Sequence, residues 1–166
     1  MIAAISTDGF IAGQHCDMSW LSNADQLLLK QTMRDHDTIL MGMKTYNAHK
    51  NKFVTKQKTR IVFTRSKVTP NDPRVRFYNG EPSDHLKELS DKGTTKALLL
   101  GGAELYNYFL KKDLVSEVML VIEPVKLHTG TLFFTDAKVL ESTYGFTLYC
   151  SQQLNAEGTI FNSYKK

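Results

Sequence analysis

The sequence predicts an α/β fold: a single mixed, mostly parallel sheet flanked by helices on both faces, with an antiparallel hairpin at the C-terminal end. Three observations predict it. Through the first two thirds of the chain, apolar runs of strand length alternate with stretches of helical period, and that alternation means parallel strands joined by crossover helices. The last third changes to a long β-branched run and two alternating segments around Asn155-Ala156-Glu157-Gly158, a hairpin signal. The 166 residues, 42% hydrophobic and 23% charged, suit one domain over 1–166, with no linker, repeat or low-complexity tract to divide it.

Taken in order, residues 1–6 read as the first strand; no basic region precedes them, so they are not expected to be a signal peptide. Residues 24–34, "ADQLLLKQTMR", form a helix that places Leu27, Leu28 and Met33 near one face, with Ser22 or Asn23 as N-cap. A buried strand over 38–41 is stopped by Gly42, and a short helix follows over 43–48. Residues 60–64 and 75–78 are strands, 83–90 an amphipathic helix with Leu86 and Leu89 inward, and 96–100 a further strand. Residues 103–110, "AELYNYFL", are helical with Leu105, Phe109 and Leu110 on the apolar side. A long strand covers 116–125, where Pro124 signals an edge or a bulge, and 144–152 and 159–164 form the hairpin.

Composition narrows the function. No apolar run approaches the length of a membrane span. Two distant cysteines, Cys16 and Cys150, fit a reducing cytoplasm rather than a disulfide scaffold, and five scattered histidines give no metal pair. The net charge is +4, and residues 49–60, "HKNKFVTKQKTR", hold five Lys or Arg and no acid. That run reads as a solvated loop or as a site for an anionic small molecule. A nucleic-acid patch fits less well, because only Phe53 interrupts the charges.

Ligands of open α/β sheets bind beyond the carboxyl ends of the parallel strands, where helices begin. Two junctions here send a strand through glycine into a helix: Leu40-Met41-Gly42-Met43-Lys44-Thr45 and Leu100-Gly101-Gly102-Ala103-Glu104. Free N–H groups and the helix dipole suit such a terminus to anions, and glycine lets a phosphate approach the backbone. Lys44 would add a charge and Thr45 a hydroxyl. A third junction, Phe63-Thr64-Arg65-Ser66, offers an arginine that could grip a phosphate monoester. Each glycine could equally serve a tight turn; the three junctions together read as a dinucleotide site with two phosphate positions. Asp25 begins the first helix, five residues after Trp20, the only tryptophan. It is either an acid favoured by the helix dipole or a lone carboxylate beside Trp20, Leu28 and Leu29. In the second case burial would raise its pKa and fit it to hold or shuttle a proton.

Six segments in this order, "AAISTDGFIAG" (3–13), "SWLSNAD" (19–25), "ILMGMKTY" (39–46), "RIVFTRS" (60–66), "LLLGGAELYNYFL" (98–110) and "LVIEPV" (120–125), resemble the dihydrofolate reductase superfamily. That superfamily includes the pyrimidine reductase domain of riboflavin synthesis. The resemblance implies that Asp25, with Trp20, is catalytic, hydrogen-bonding a pterin edge and assisting protonation. It implies NADPH as cofactor, held by Gly42, Lys44 and Thr45, by Thr64, Arg65 and Ser66, and by Gly101 to Leu105 (Gly102, Ala103 and Glu104 included). Ala4, Ile11 and Gly13 would line the nicotinamide. Arg65 would take the 2′-phosphate, and Gly101-Gly102 would be a cis peptide. Ile5, Leu28, Leu29, Lys58 and Tyr106 would face the substrate. No metal is implied, and relatives are monomers or homodimers.

The chain departs from the folate pattern at two points. Lys58 stands where an arginine grips the glutamate carboxylate, and Val121 where a hydroxyl backs up the acid. "STDGFIAG" and "IEPV" are closer to the riboflavin branch, yet its deaminase signature is absent. Asp25 fits the folate branch. The expectation is therefore a cytoplasmic, NADPH-dependent reductase of 7,8-dihydrofolate. The alternatives are a pyrimidine reductase and a non-catalytic nucleotide- or RNA-binding module.

Overall fold

A computed structural model describes residues 1–49, 58–69, 71–134 and 136–166. The first strand, β1 (Ile2–Ser6), is followed by a short β2 (Phe10–Ala12), a 3-10 turn (Gln14–Cys16) and α1 (Asn23–Arg34). Next come β3 (Thr38–Gly42), α2 (Met43–His49), β4 (Thr59–Phe63), β5 (Val75–Tyr78), α3 (Pro82–Asp91), β6 (Ala97–Leu99) and α4 (Ala103–Lys111). The last third holds β7 (Glu117–Glu123), β8 (Thr131–Leu132), α5 (Val139–Ser142), β9 (Thr147–Gln153) and β10 (Ile160–Lys165). None of the helices among the described residues is long and apolar enough to cross a membrane.

The ladders form two four-stranded sheets and a ribbon. In the order β5-β4-β3-β6 every pairing is parallel. In the order β1-β7-β10-β9 the first pairing is parallel and the rest antiparallel, as the hairpin signal predicts. Two core clusters run across both sheets. Ala3 and Ile5 pack with Leu40, Ile61, Leu99 and Leu120, whereas Ile2 packs with Ile39, Met41, Val62 and Leu98. Alternate residues of β1 therefore face opposite clusters, each shared with β3, β4 and β6. The two sheets act as one mixed, mostly parallel layer with a core on each face. Burying each of these side chains larger than alanine contributes about 1.5–3 kcal/mol.

The period of α1 is shifted from the expected one. Leu27 is 57% exposed, and the buried positions are Asp25, Thr32 and Met33, with Leu28 and Leu29 half-buried. At 3.6 residues per turn, Asp25, Leu29, Thr32 and Met33 fall on one stripe and Leu27 on the other side. The helix therefore turns a carboxylate toward the sheet. The ribbon of β2 with β8, and α5, were not expected; they are too short for periodicity to reveal.

Residues 50–57 of the basic run lie outside the described residues. The last two cations of the run are committed to groups of this chain. Arg60, 6% exposed, donates to Asp72 at 2.7 Å. The Lys58 ammonium donates to the carbonyl of Arg34 at 2.7 Å and lies 3.4 Å from Asp37. It caps the C-terminal end of α1, where the dipole favours a cation.

Candidate active site

The carboxyl ends of β1 and β7 lie side by side, with Ser6 opposite Glu123. The start of α1 is fastened there. Ser22 is the N-cap, its hydroxyl accepting from the Asp25 N–H at 3.1 Å. In a Ser-x-x-acid box the acid would bind back to the capping N–H. Here Glu123 takes that N–H instead, at 2.9 Å. The other oxygen of Glu123 accepts from the Thr159 hydroxyl at 2.7 Å, and the Asn155 amide donates to that hydroxyl at 2.9 Å. Glu123 and Thr159 are 2% and 0% exposed. A buried polar relay thus ties the helix start to the β9–β10 turn and leaves the Asp25 carboxyl for another partner.

Asp25 is 4% exposed, and none of the hydrogen bonds among the described residues reaches its carboxyl oxygens. Burial, aided by the negative charge of Glu123, raises its pKa to about 7. Tyr106 stands close enough to feel it. Burial first, and then the Asp25 charge, push the Tyr106 phenol well up. Its hydroxyl donates to the Ile2 carbonyl at 2.5 Å. Asp25 is thus an acid in the first turn of α1 whose N–H is held by the Ser22 cap, while its carboxyl is buried with no hydrogen-bond partner among the described residues.

Tyr106 also joins this end to the glycine pair. A Cβ on Gly101 would lie 2.6 Å from the Tyr106 ring, and Gly101 has φ +91°, so both space and backbone require glycine. The Gly101-Gly102 peptide is cis, as the resemblance implies. The Gly42 N–H donates to the Gly101 carbonyl at 2.7 Å, and a Cβ on Gly102 would meet the Thr45 hydroxyl at 3.3 Å. The two glycine junctions, far apart in sequence, therefore form one stretch of bare backbone at the carboxyl ends of β3 and β6. Gly102 is the N-cap of α4, with Ala103 and Glu104 in its first turn.

Charged groups stand around that stretch. The Lys44 ammonium is 3.8 Å from one carboxylate oxygen of Glu104, and the Arg65 guanidinium is 4.0 Å from the other. The Ser66 N–H donates to the Thr64 hydroxyl at 3.1 Å, closing the turn that presents Arg65.

The remaining expected residues divide. Ala4 on β1, and Leu28 and Leu29 on α1, are half-buried, as are Ile11, Leu105 and Trp20. Ile5 is a core residue. The Gly13 N–H and the Trp20 indole N–H both donate to the Asp17 carbonyl, at 2.8 and 3.1 Å, so these two fasten their own loop. Lys58 is not brought to Asp25. It sits at Arg34, nine residues and about 14 Å further along the helix at 1.5 Å per residue. Val121 is fully buried opposite Ala4. Glu123 and Thr159 were missed; the signal available was an acid directly before Pro124, at the end of a strand that is apolar from Val118 to Ile122.

The chain compares with known proteins as follows. A family model described as the RibD C-terminal domain matches residues 1–156. The Bacillus subtilis (strain 168) protein YwjB is 30% identical over 137 residues, which is 79% of each chain. Dihydrofolate reductase type 6 of Proteus mirabilis is 26% identical over 163 residues, 95% of this chain and 98% of the relative. The crystal structure of a pyrimidine reductase-like protein from Corynebacterium diphtheriae NCTC superposes with a TM-score of 0.77 at 16% identity, covering 99% of this chain and 89% of that one, a likeness of fold.

Proposed function

The chain belongs to the RibD C-terminal domain family, and from that premise we propose that it is an NADPH-dependent reductase of a C=N bond in a pterin-like or aminopyrimidine substrate. The family is reductase-like and the fold is that of the dihydrofolate reductases. The observation that carries the finer reading is the Asp25 carboxyl: buried, without a hydrogen-bond partner among the described residues, and titrating at about 7. At neutral pH it is shared between its charged and protonated forms, the condition for both accepting hydrogen bonds and holding a proton.

The residues fit a dinucleotide. Gly42, Gly101 and Gly102 leave main chain uncovered, the first turn of α4 presents N–H groups, and Lys44 and Arg65 supply positive charge. NADPH, when bound there, supplies the hydride. The protein does the rest. Leu28 and Leu29 exclude water beside the ring, Tyr106 braces the glycine pair, and Asp25 accepts from the N–H edge of the heterocycle and favours protonation of the reduced nitrogen.

An amidine edge, with two parallel N–H donors, matches a carboxylate in bidentate fashion and favours a dihydropterin such as 7,8-dihydrofolate. One observation favours the second reading, a pyrimidine without a glutamate tail: Lys58, the cation expected to grip that tail, is already bound to Arg34 and Asp37. The test is NADPH oxidation, followed by absorbance, with 7,8-dihydrofolate and with a ribosylaminopyrimidine side by side. Turnover with dihydrofolate supports the first reading, and turnover with the pyrimidine alone moves the assignment to the second. A protein that binds NADPH and oxidises it with neither is a binding module, and the reductase proposal falls.

A further inference from the structure

We infer that Glu104 is a resident anion that competes with the cofactor's phosphates for Lys44 and Arg65, and so sets the discrimination between NADPH and NADH. This rests on the dinucleotide reading above. Two strand-to-helix junctions and the turn after β4 contribute one side chain each. Lys44 comes from the first turn of α2, Arg65 from the turn after β4, and Glu104 from the first turn of α4. One carboxylate oxygen faces each cation, at 3.8 and 4.0 Å.

The pairing does nothing for the fold that its exposure would allow. The side chains of Lys44, Arg65 and Glu104 are 94%, 97% and 81% exposed, and ion pairs in solvent contribute little to stability. Helix-dipole stabilisation accounts for an acid in the first turn of α4. It does not account for the convergence of two cations from other junctions on that acid. Those cations are the only charged side chains that the three junctions offer to an anion, and Glu104 stands between them. A phosphate that reaches Arg65 must separate the arginine from Glu104 or bind beside a like charge. The 2′-phosphate is the group by which NADPH differs from NADH, so this competition falls on NADPH.

One unit charge at about 4 Å in water changes an affinity by about fivefold. The experiment measures dissociation constants of NADPH and of NADH by titration calorimetry without substrate, for the wild-type protein and Glu104→Gln, at low salt and near 1 M salt. Expected is an NADPH affinity about three- to tenfold tighter in the variant at low salt, a smaller change for NADH, and convergence of the two proteins at high salt. A helix-dipole role alone would shift the melting temperature and leave the NADPH-to-NADH ratio untouched; that ratio, unchanged in a wild-type protein that binds NADPH, overturns the inference and leaves the reductase reading standing. Failure of the wild-type protein to bind either nucleotide overturns the dinucleotide reading and this inference with it.

Discussion

Asp25 and Glu104 are both acids in the first turn of a helix at the carboxyl edge of the sheet, and the fold treats them in opposite ways. Asp25 is 4% exposed, without a hydrogen-bond partner for its carboxyl among the described residues, and titrates at about 7; Glu104 stands in solvent between two cations. Burial turns a carboxylate into a group that exchanges a proton near neutrality, and the folded state bears the cost of keeping it dry. Exposure leaves a charge that neighbours and salt can screen, with almost no effect on folding. On the proposed function, one end of the site serves chemistry and the other recognition.

The sharpest way to break that contrast is Asp25→Asn. Turnover near neutral pH is expected to fall at least about tenfold, with partial recovery in acid, where the substrate gains its proton from solvent. Stability moves the other way. The folded carboxyl titrates at about 7 against 3.8 for the free group, so the folded state holds the proton more tightly than the unfolded chain. That contribution is fully present below about pH 4 and is lost as pH rises to about 7, a loss of up to about 4 kcal/mol. The Asn variant has no such loss. Urea unfolding should find it more stable than wild type at pH 8, with the gap closing as the pH approaches 4. Equal stability of the two proteins at pH 8 would mean that the carboxyl is not desolvated.

How much of this was legible depends on the range of the interactions. The alternation of apolar runs was enough for the strand and helix order, because period is a local property. The six family segments marked Asp25, Gly42, Gly101 and Gly102 as site residues. The phase of α1 departs from the expected one at Leu27, since three consecutive leucines satisfy more than one helical face and only the sheet selects among them. The Glu123–Thr159 bond and the Tyr106–Ile2 bond join residues 36 and 104 positions apart, a separation that no local pattern encodes. Lys58, which the resemblance implies faces the substrate, meets the Arg34 carbonyl and Asp37 at the end of α1, contacts across 24 and 21 positions that local period does not reveal.

The glycine pair lies between the two ends and tests whether they share a support. Gly101→Ala adds a methyl at a left-handed φ of +91° and 2.6 Å from the Tyr106 ring. Left-handed backbone costs about 1–2 kcal/mol for a residue with a side chain, and overpacking costs about 1–3 kcal/mol more. A loss of about 2–5 kcal/mol of stability, read as a lowered melting temperature, is expected together with weaker NADPH binding, because Tyr106 cannot yield without straining its bond to Ile2. A variant that melts like wild type would show that Tyr106 is not held against the pair.

The smallest effect belongs to the exposed end, where the contrast predicts almost nothing for folding. Arg65→Met removes a guanidinium whose side chain is 97% exposed and whose ion-pair partner, Glu104, lies 4.0 Å away. Unfolding free energy should change by less than about 0.5 kcal/mol, the usual result for a surface substitution. NADPH binding should weaken several-fold at low salt and hardly at all near 1 M salt, because the lost interaction is one of exposed charges. NADH binding should be nearly unaffected at either. A salt-independent loss for both nucleotides would mean that Arg65 supports the shape of the turn closed by Thr64 and Ser66 rather than meeting a phosphate, and the functional division between the two ends would fail at its exposed side.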